Sequence, residues 1–277
     1  MKKVIFLLIS IFMLSSCEEN KENTIVIGFV SWEENIALAN IAKIALEEEG
    51  FTVKFKYADI DPIFSRLLPR KKIDVFMDAW LPVTHQKYVD EYKDHFEIIG
   101  TNFKSAKTGL VVPAYVNLHS ITELNQEKAK FKRKITGIDI GAGIMQSAEK
   151  AITTYELEFE LIPSTNFAMD TALKKAINQQ EWIVITGWMP NSMFAEHELK
   201  FLEDPESVFG EEEQIKTIVR KDFKNDFPKA TEILKKIQLN DEEMSSLLKE
   251  IKEAKHDFEG AETWAKKNKS LIKKWTL

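Results

Sequence analysis

Cysteine, long apolar runs and basic charge are all scarce in this sequence of 277 residues. Cys17 is the single cysteine, so the folded core has to be stable without disulfides. No apolar run after Cys17 approaches the roughly 18 residues that indicate a membrane-spanning helix. Lysine and arginine number 38 against 44 acidic residues, a formal net charge of −6. The missing basic excess argues against a nucleic acid partner, which requires a basic face.

Motifs for bound metals, phosphates and cofactors are also missing. His95, His119, His197 and His256 show no spacing typical of metal ligands. The turn Gly141-Ala142-Gly143 lacks the third glycine of a dinucleotide fingerprint and the Gly-Lys-Ser/Thr of a P-loop. No internal repeat with a period of 20 to 50 residues is visible. We therefore expect neither a cofactor nor a bound metal.

One pair of carboxylates could in principle act as a general acid and base. Asp74 and Asp78 flank a predicted strand end, but no nucleophile or metal motif accompanies them. We interpret them as a structural or solvated pair. The sequence therefore predicts a protein that is not an enzyme.

The longest apolar run lies at the start of the chain. Met1-Lys2-Lys3 is positive, Val4 to Leu14 is apolar but for one serine, and Ser15-Ser16-Cys17 closes the segment. Residues 1–16 are typical of a signal peptide, and Cys17 stands where a bacterial lipoprotein carries its lipid. The alternative, a plain secretory peptide, leaves a free thiol in an oxidising compartment. We expect residues 17–23 to be a tether that holds a monomeric domain on the extracytoplasmic face of the membrane.

The order of predicted elements after this tether indicates an α/β protein with two units. Strands at 24–30, 51–57 and 73–77 alternate with helices at 33–49 and 60–68, which is the pattern of a mostly parallel sheet. A second unit begins near Gly109, and 228–277 is predicted to be nearly all helix, with Asn240 as an N-cap. We expect lobe one at 24–108 with 216–277 returning to it, and lobe two at 109–215.

Three tryptophans follow three of the predicted strands. Trp32 and Trp80 belong to the first unit, and Trp188 belongs to the second. Ligands of such sheets sit outside the carboxyl ends of the strands, so a cleft between the units would bring the indoles together. Indole faces suit a quaternary ammonium, which has no N–H to donate, at about 0.5–2 kcal/mol each when desolvated. Trp264 and Trp275, in the helical tail, are interpreted as core residues.

Two further features indicate a place for an anion. The turn Gly141-Ala142-Gly143 runs into a predicted helix, where free backbone N–H groups favour a small carboxylate, although a plain tight turn is equally compatible with it. His85 follows Trp80 by five residues and could donate an N–H to the same anion. Read without these neighbours, His85 is a surface or helix-start histidine.

The block Asp74-Val75-Phe76-Met77-Asp78-Ala79-Trp80-Leu81-Pro82-Val83-Thr84-His85 is the most specific motif of the chain. Shorter segments accompany it at Trp32 to Ala37, Gly137 to Met145, Thr186 to Trp188 and Leu202 to Pro205. Together they resemble the glycine betaine/proline betaine substrate-binding lipoproteins of ABC uptake systems. The resemblance covers essentially the whole chain after the signal peptide.

This resemblance implies a fold, a site and partners. The fold would be an α/β, two-lobed periplasmic-binding-protein fold with two interlobe crossings and a helical C-terminal tail. Trp32, Trp80 and Trp188 fall on the positions of an aromatic cage for the cation of a betaine. Gly143 and Ile144 fall on the backbone amides that hold the ligand carboxylate, and His85 on the side chain that joins them. The partners would be a small betaine, a membrane permease and its ATPase.

Other readings stay open at this point. Ile140 stands where that family usually has proline, and Asn191-Ser192 replaces a commoner His-Trp pair, which leaves the preferred betaine undecided. Carnitine or choline is an alternative ligand. A carbohydrate-binding protein would need polar groups beside each indole, and only Asp78 and Asn191 are near. A signalling sensor domain would share the site and differ in its partner.

Overall fold

The computed structural model describes residues 23–277, which form α/β units around one extended system of strands. The strands are β1 (Thr24–Phe29), β2 (Thr52–Tyr57), β3 (Val75–Leu81), β4 (Phe96–Pro113), β5 (Lys134–Thr136), β6 (Glu160–Ile162), β7 (Val184–Met189), β8 (Leu199–Phe201) and β9 (Glu213–Arg220). The helices are α1 (Glu33–Glu48), α2 (Ile60–Pro62), α3 (Gln86–Tyr92), α4 (Gly143–Thr154), α5 (Asn166–Asn178), α6 (Met193–Glu196), α7 (Phe223–Asp226), α8 (Pro228–Lys236), α9 (Asp241–Glu253), α10 (Asp257–Lys267) and α11 (Lys269–Thr276). A π-helical segment, Ile63–Leu67, continues α2.

The first lobe is built around β1 and β3. β1 pairs in parallel with β2 on one side and with β3 on the other. All seven residues of β3 are buried, as expected for a strand covered on both faces, whereas β2 lies at the edge of the sheet and exposes most of its residues. The predicted alternation of strands and helices over this region is confirmed, and the ends of β1 and β3 face the second lobe.

Two antiparallel strands connect the lobes. β4 pairs with β9 from Phe96 to Ala106, and its next residue, Lys107, begins the pairing with β7. β9 lies between β4 and β3, so the chain leaves the first lobe along β4 and returns along β9. We call β1, β2, β3, β9 and the first part of β4 lobe one, and β5 to β8 with the last part of β4 lobe two. The predicted boundaries after residues 108 and 215 fall within these two strands and stay predictions.

The C-terminal helices pack on lobe one. Helices α8 to α11 all contact α1, which explains why the chain after β9 returns to this lobe. Asn240 caps α9: its side chain accepts from the Glu243 N–H, and the Glu243 carboxylate accepts from the Asn240 N–H. The indoles of Trp264 and Trp275 are only 1% and 2% exposed. The predictions of an N-cap and of two core tryptophans are therefore confirmed.

Several element ends differ from the predicted ones. β3 continues to Leu81 because it stays paired with β9 as far as Gln214, and β7 continues to Met189 because it stays paired with β4 as far as Lys107. Trp80 and Trp188 therefore lie next to last in their strands and not after them. Trp32 follows β1 and is the N-cap residue of α1.

Within residues 23–277, no helix is both long enough and apolar enough to cross a membrane. The predicted signal peptide, Cys17 and most of the predicted tether lie outside the described residues.

Candidate functional site

The six residues predicted to bind a ligand line one cavity between the two lobes. The cavity and its opening enclose about 280 Å³ of space between protein atoms. Its walls combine apolar side chains with a few polar ones, and both lobes contribute. The lining residues are Trp32, Glu34, Trp80, Thr84 and His85 from lobe one and Thr108, Ile138, Ala142, Gly143, Ile144 and Trp188 from lobe two.

The Trp80 indole is fixed within lobe one. Its Nε1–H donates to Asp78 Oδ1 at 2.8 Å, and the ring is only 2% exposed to solvent. Asp78 is itself completely buried, two residues earlier in the same strand. Because the N–H is already bonded, the part of the indole left to contact a ligand is its apolar ring.

The other two indoles are held in different ways, and one of them is bonded across the cleft between the lobes. Trp188 of lobe two donates its Nε1–H to Glu34 Oε2 of lobe one at 3.0 Å. Trp32 of lobe one instead stacks on His85, with the ring centroids 5.8 Å apart. All three tryptophans are at most 7% exposed. The aromatic part of the cavity is thus assembled from both lobes.

His85 lines the cavity and has one ring nitrogen without a partner among the described residues. The backbone N–H of Trp80 donates to His85 Nδ1 at 3.0 Å, so Nδ1 is the acceptor and Nε2 carries the proton of the neutral ring. Nε2 is buried and has no hydrogen-bond partner in the described part of the chain. Burial lowers the pKa of His85 to about 3, which keeps the ring neutral at physiological pH. His85 is therefore a neutral N–H donor.

The turn before His85 is held in place by the second crossing strand. Glu213, the first residue of β9, is completely buried and accepts the backbone N–H groups of Val83 and Thr84 at 2.9 and 2.8 Å. The Thr84 hydroxyl donates to the other oxygen of the same carboxylate. The position and the tautomer of the His85 imidazole are thus set by protein groups around the cavity, without a ligand.

Gly143 and Ile144 are the first two residues of α4. Their N–H groups have no acceptor within the helix, and the N-cap residue, Ala142, provides no side-chain cap. A Cβ atom at Gly143 would lie 2.1 Å from the backbone oxygen of Thr84, so only glycine allows this approach of lobe two to lobe one. The N-terminus of α4 therefore presents free donors and a positive dipole end to the cavity.

Two of the carboxylates at the aromatic part of the site are fully buried. Burial raises the pKa of Glu34 to about 8, against the lowering effect of its bond with Trp188. Burial also raises the pKa of Asp78 well above its usual range, and the negative charge of Glu34 adds to this. Asp78 therefore has a structural role, which was one of the two roles predicted for it. Asp74 is structural as well, because the Arg220 Nε–H donates to its carboxylate at 2.6 Å.

Sequence reasoning missed Glu34, Thr84 and Thr108 as residues that line the site. Glu34 looks like an ordinary acidic residue in the first turn of a helix. Thr108 lies opposite Trp188 in the strand pairing, and its buried Oγ1 has no partner among the described residues. Thr108 could have been recognised from its position opposite Trp188, but that position is known only once the register between β4 and β7 is known.

The two departures from the family pattern lie outside this cavity. Ile140 is 76% exposed and does not line it. The backbone N–H of Ser192 donates to Glu33 at 3.0 Å, and Lys252 Nζ donates to Ser192 Oγ at 2.8 Å, which adds contacts between the lobes beside the site. Neither departure removes a wall of the cavity.

Chemically, the cavity combines two different sets of groups, which we call its cation end and its anion end. Aromatic rings and buried carboxylates surround one end, where a cation without N–H groups fits. Neutral N–H donors, from His85 and the start of α4, surround the other end, where an anion fits.

Comparison with known proteins points the same way. Residues 23–267 match the family model OpuAC, described as the substrate binding domain of an ABC-type glycine betaine transport system. The glycine betaine/carnitine transport binding protein GbuC of Listeria monocytogenes serotype 1/2a (strain 10403S) is 42% identical over 145 residues. That match spans 51% of this chain and 48% of GbuC, so it covers about half the length of the relative.

Solved structures match nearly the whole chain. Lactococcal OpuAC, crystallised in a closed-liganded conformation with glycine betaine, superimposes with a TM-score of 0.87 at 35% identity, over 92% of this chain and 100% of that one. ProX from Borrelia burgdorferi, a glycine betaine, L-proline ABC transporter binding protein, gives 0.87 at 32% identity, over 91% and 96%. An ABC-transporter choline binding protein at 24% identity shares the fold, with a TM-score of 0.85 over 91% of each chain. The two-lobed periplasmic-binding-protein fold is thereby confirmed, and the chain belongs to the OpuAC family of substrate-binding domains of ABC-type glycine betaine transport systems.

Proposed function

We propose that this chain is the extracytoplasmic binding protein of an ABC importer and captures glycine betaine or a related quaternary-ammonium zwitterion. The observation that carries the proposal is a single cavity lined by three indoles together with His85 and the first two residues of α4, whose N–H groups are donors. Family membership and the similarity to a structure holding glycine betaine support the same ligand class.

In the proposed complex the trimethylammonium group contacts the faces of Trp32, Trp80 and Trp188. Each desolvated cation–π contact contributes about 0.5–2 kcal/mol, so three of them supply a large share of the roughly 8 kcal/mol that micromolar affinity requires. Strongly hydrated ammonium ions are disfavoured because rings cannot replace their hydrogen bonds with water.

The ligand carboxylate would accept hydrogen bonds from the Gly143 N–H, the Ile144 N–H and the His85 Nε2–H. An anion pairs with these donors without any change of protonation, because His85 is neutral and the other two are backbone amides. The positive end of α4 stabilises the carboxylate further.

Closure of the two lobes is the proposed conformational step. Since each lobe holds part of the site, the ligand binds the closed form more tightly and shifts the population towards it. The closed form would dock on a membrane permease, and an ATPase on the cytoplasmic side would supply the energy. We expect no catalysis by this chain.

The same proposal includes the attachment of the protein to the membrane. Lipid modification of Cys17 would hold a monomer on the extracytoplasmic face and raise its concentration near the permease.

Choline and carnitine are the nearest alternative ligands. Choline has the cation but lacks the carboxylate, so it would leave the buried Nε2–H of His85 without an anion. This observation favours a ligand with a carboxylate, which glycine betaine, proline betaine and carnitine all have. A sugar is disfavoured because the cavity carries few polar side chains beside its indoles.

The test is a calorimetric or tryptophan-fluorescence titration of the purified protein with glycine betaine, proline betaine, carnitine, choline and a neutral sugar. We expect the betaines to bind with micromolar affinity or better, choline to bind more weakly, and the sugar not to bind. A response to the sugar with none to the betaines would contradict the proposal. A response to choline exceeding that to every betaine would contradict the role given to the N–H donors.

A further inference from the structure

Thr108 is a polar residue of the cavity wall whose hydroxyl is not bonded to the protein. It lies in the last part of β4, and the residue is only 4% exposed. Its Oγ1 is buried and has no hydrogen-bond partner among residues 23–277. Burial of a hydroxyl without a partner is unfavourable, because the group gives up its hydrogen bonds to water and gains none in return. The hydroxyl therefore requires an explanation outside the fold.

The strand register places this hydroxyl beside the cage. Thr108 is directly opposite Trp188 in the antiparallel pair of β4 and β7. Residues that are directly opposite each other carry their side chains on the same face of the sheet. Both residues line the cavity, so the Thr108 side chain and the Trp188 indole belong to the same wall, contributed by lobe two.

The polar groups of the cavity wall are otherwise almost all accounted for. The Thr84 hydroxyl donates to Glu213, and the indoles of Trp80 and Trp188 donate to carboxylates. Of the buried side chains that line the cavity, only His85 and Thr108 have a polar atom without a partner in the described part of the chain. The two residues come from different lobes, and both can donate a hydrogen bond.

The chemistry of a betaine leaves one acceptor site for the Thr108 hydroxyl. The methyl groups of a quaternary ammonium carry neither N–H nor O–H. A carboxylate has two oxygens with about four lone-pair sites. The proposed donors Gly143 N–H, Ile144 N–H and His85 Nε2–H occupy three of these sites, and the Thr108 O–H is a donor for the fourth.

We propose that Thr108 donates its hydroxyl to the carboxylate of the ligand and is a fourth donor of the anion end. The inference rests on the proposed function, since it concerns the binding of a betaine. The protein itself offers this hydroxyl no acceptor, so the bond belongs to the complex and not to the folded chain. Thr108 thereby favours ligands that have a carboxylate over ligands that have only the cation.

Thr108→Val tests the proposal because it exchanges the hydroxyl for a methyl group on a side chain of almost the same shape. We expect calorimetry to show roughly 10- to 30-fold weaker binding of glycine betaine, the value of a hydrogen bond to a charged group. Thr108→Ser keeps the hydroxyl and should stay within about threefold of the wild-type affinity. The melting temperature of ligand-free Thr108→Val should equal or exceed that of the wild type, since no bond within the protein is lost.

Thr186→Val is the matched control. Thr186 is also a completely buried threonine of the same sheet, but it lies outside the cavity wall and its hydroxyl is directed to Met169 Sδ at 3.7 Å. Its affinity for glycine betaine should equal that of the wild type. Choline provides the control on the side of the ligand: it lacks the carboxylate, so Thr108→Val should change its dissociation constant less than about threefold.

The outcomes separate this inference from the proposed function. If the wild-type protein does not bind glycine betaine, both fail together. If it binds and Thr108→Val retains the wild-type affinity, the role of Thr108 alone is wrong. The role is also overturned if Thr108→Val loses affinity and melting temperature together, because the hydroxyl would then support the fold. Equal losses for choline and glycine betaine, or for Thr108→Ser and Thr108→Val, would exclude a bond to the carboxylate.

Discussion

The two ends of the cavity are built on opposite principles. At the cation end the indole N–H groups of Trp80 and Trp188 are already bonded to buried carboxylates, so these side chains offer a ligand their rings. At the anion end the polar groups are donors that the protein leaves unpaired, notably His85 Nε2–H and the first N–H groups of α4. A ligand is therefore recognised by shape and charge at one end and by directed hydrogen bonds at the other.

This difference also separates the ends in their response to pH. The anion end relies on a histidine that burial keeps neutral and on amides that do not titrate. The cation end contains carboxylates whose pKa values are raised by burial. Affinity at the two ends can therefore be changed independently, and we make four predictions in order of decreasing effect.

Loss of a cage wall should have the largest effect. Trp188→Ala removes one ring face and leaves the Glu34 carboxylate without its partner. We expect the affinity for glycine betaine to fall roughly 1000-fold, since truncation of a buried aromatic contact costs about 4 kcal/mol. Calorimetry of Trp264→Phe provides the control: Trp264 is a core residue bonded to Ser246, so this change should lower the melting temperature and leave the dissociation constant intact. Equal losses of affinity in the two variants would mean that Trp188 and Trp264 do not differ as cage and core residues.

Blocking the contact between the lobes should rank second. In Gly143→Ala the added Cβ meets the Thr84 backbone oxygen at 2.1 Å, which the closed form cannot accommodate without a shift. We expect roughly 100-fold weaker betaine binding, because a closure that is short of its final position loses several hydrogen bonds at about 1 kcal/mol each. The matched change is Gly141→Ala, two residues earlier, where a Cβ has open space around it. A similar loss in both variants would exclude the steric explanation.

Removal of one donor at the anion end should rank third and should depend on the ligand. His85→Asn retains an oxygen that can accept the Trp80 N–H but lacks the Nε2–H. We expect glycine betaine to bind about 10- to 30-fold more weakly, the value of a hydrogen bond to a charged group, while choline affinity stays within a few fold. Titrations of both ligands with the same preparation measure the ratio. An equal loss for both ligands would place His85 in structural support only.

The effect of pH should be the smallest and should arise at the cation end. A cation in the cage favours ionised Glu34, whose pKa is about 8 in the closed site without a ligand, so entry of the cation into the closed site releases protons. Affinity should rise by about threefold from pH 6 to pH 8 and level off above pH 8, with no inflection near 6.5 from His85. The negative charge of Glu33 raises the pKa of Glu34 further, and Glu34 in turn raises the pKa of Asp78.

Calorimetry in buffers of different ionisation enthalpy detects the released proton directly. The release should disappear in Glu34→Gln. Binding heats that do not depend on the buffer at pH 7 would contradict the prediction.

The sequence was sufficient to bring the six predicted residues to one cavity. Trp32, Trp80 and Trp188 could be placed because strand ends of neighbouring units face the same cleft, and the glycine turn could be placed because it opens a helix. Their roles towards a ligand remain predictions. The extra length of β3 and β7 could not be foreseen, since it depends on pairing with strands more than 70 residues away in the chain.

The carboxylates that hold the indoles could not be predicted from the sequence, for a different reason. Glu34 lies 154 residues from Trp188, and nothing in an acidic helix start distinguishes a buried hydrogen-bond acceptor from a solvated charge. Asp78 was assigned to a structural or solvated pair, and only its complete burial decides between the two. The Glu34 contact depends on how the two lobes are arranged, which local sequence patterns do not encode.

The change of partner along β4 has a mechanical consequence. Because Ala106 still pairs with β9 while Lys107 already pairs with β7, both lobes are attached to one continuous strand with no loop between them. Opening and closing of the lobes then twist the short segment in which β4 pairs with β9, and the stiffness of this crossing segment opposes the motion. Substitutions in the crossing segment can change the lifetime of the bound ligand without altering any atom that contacts the ligand.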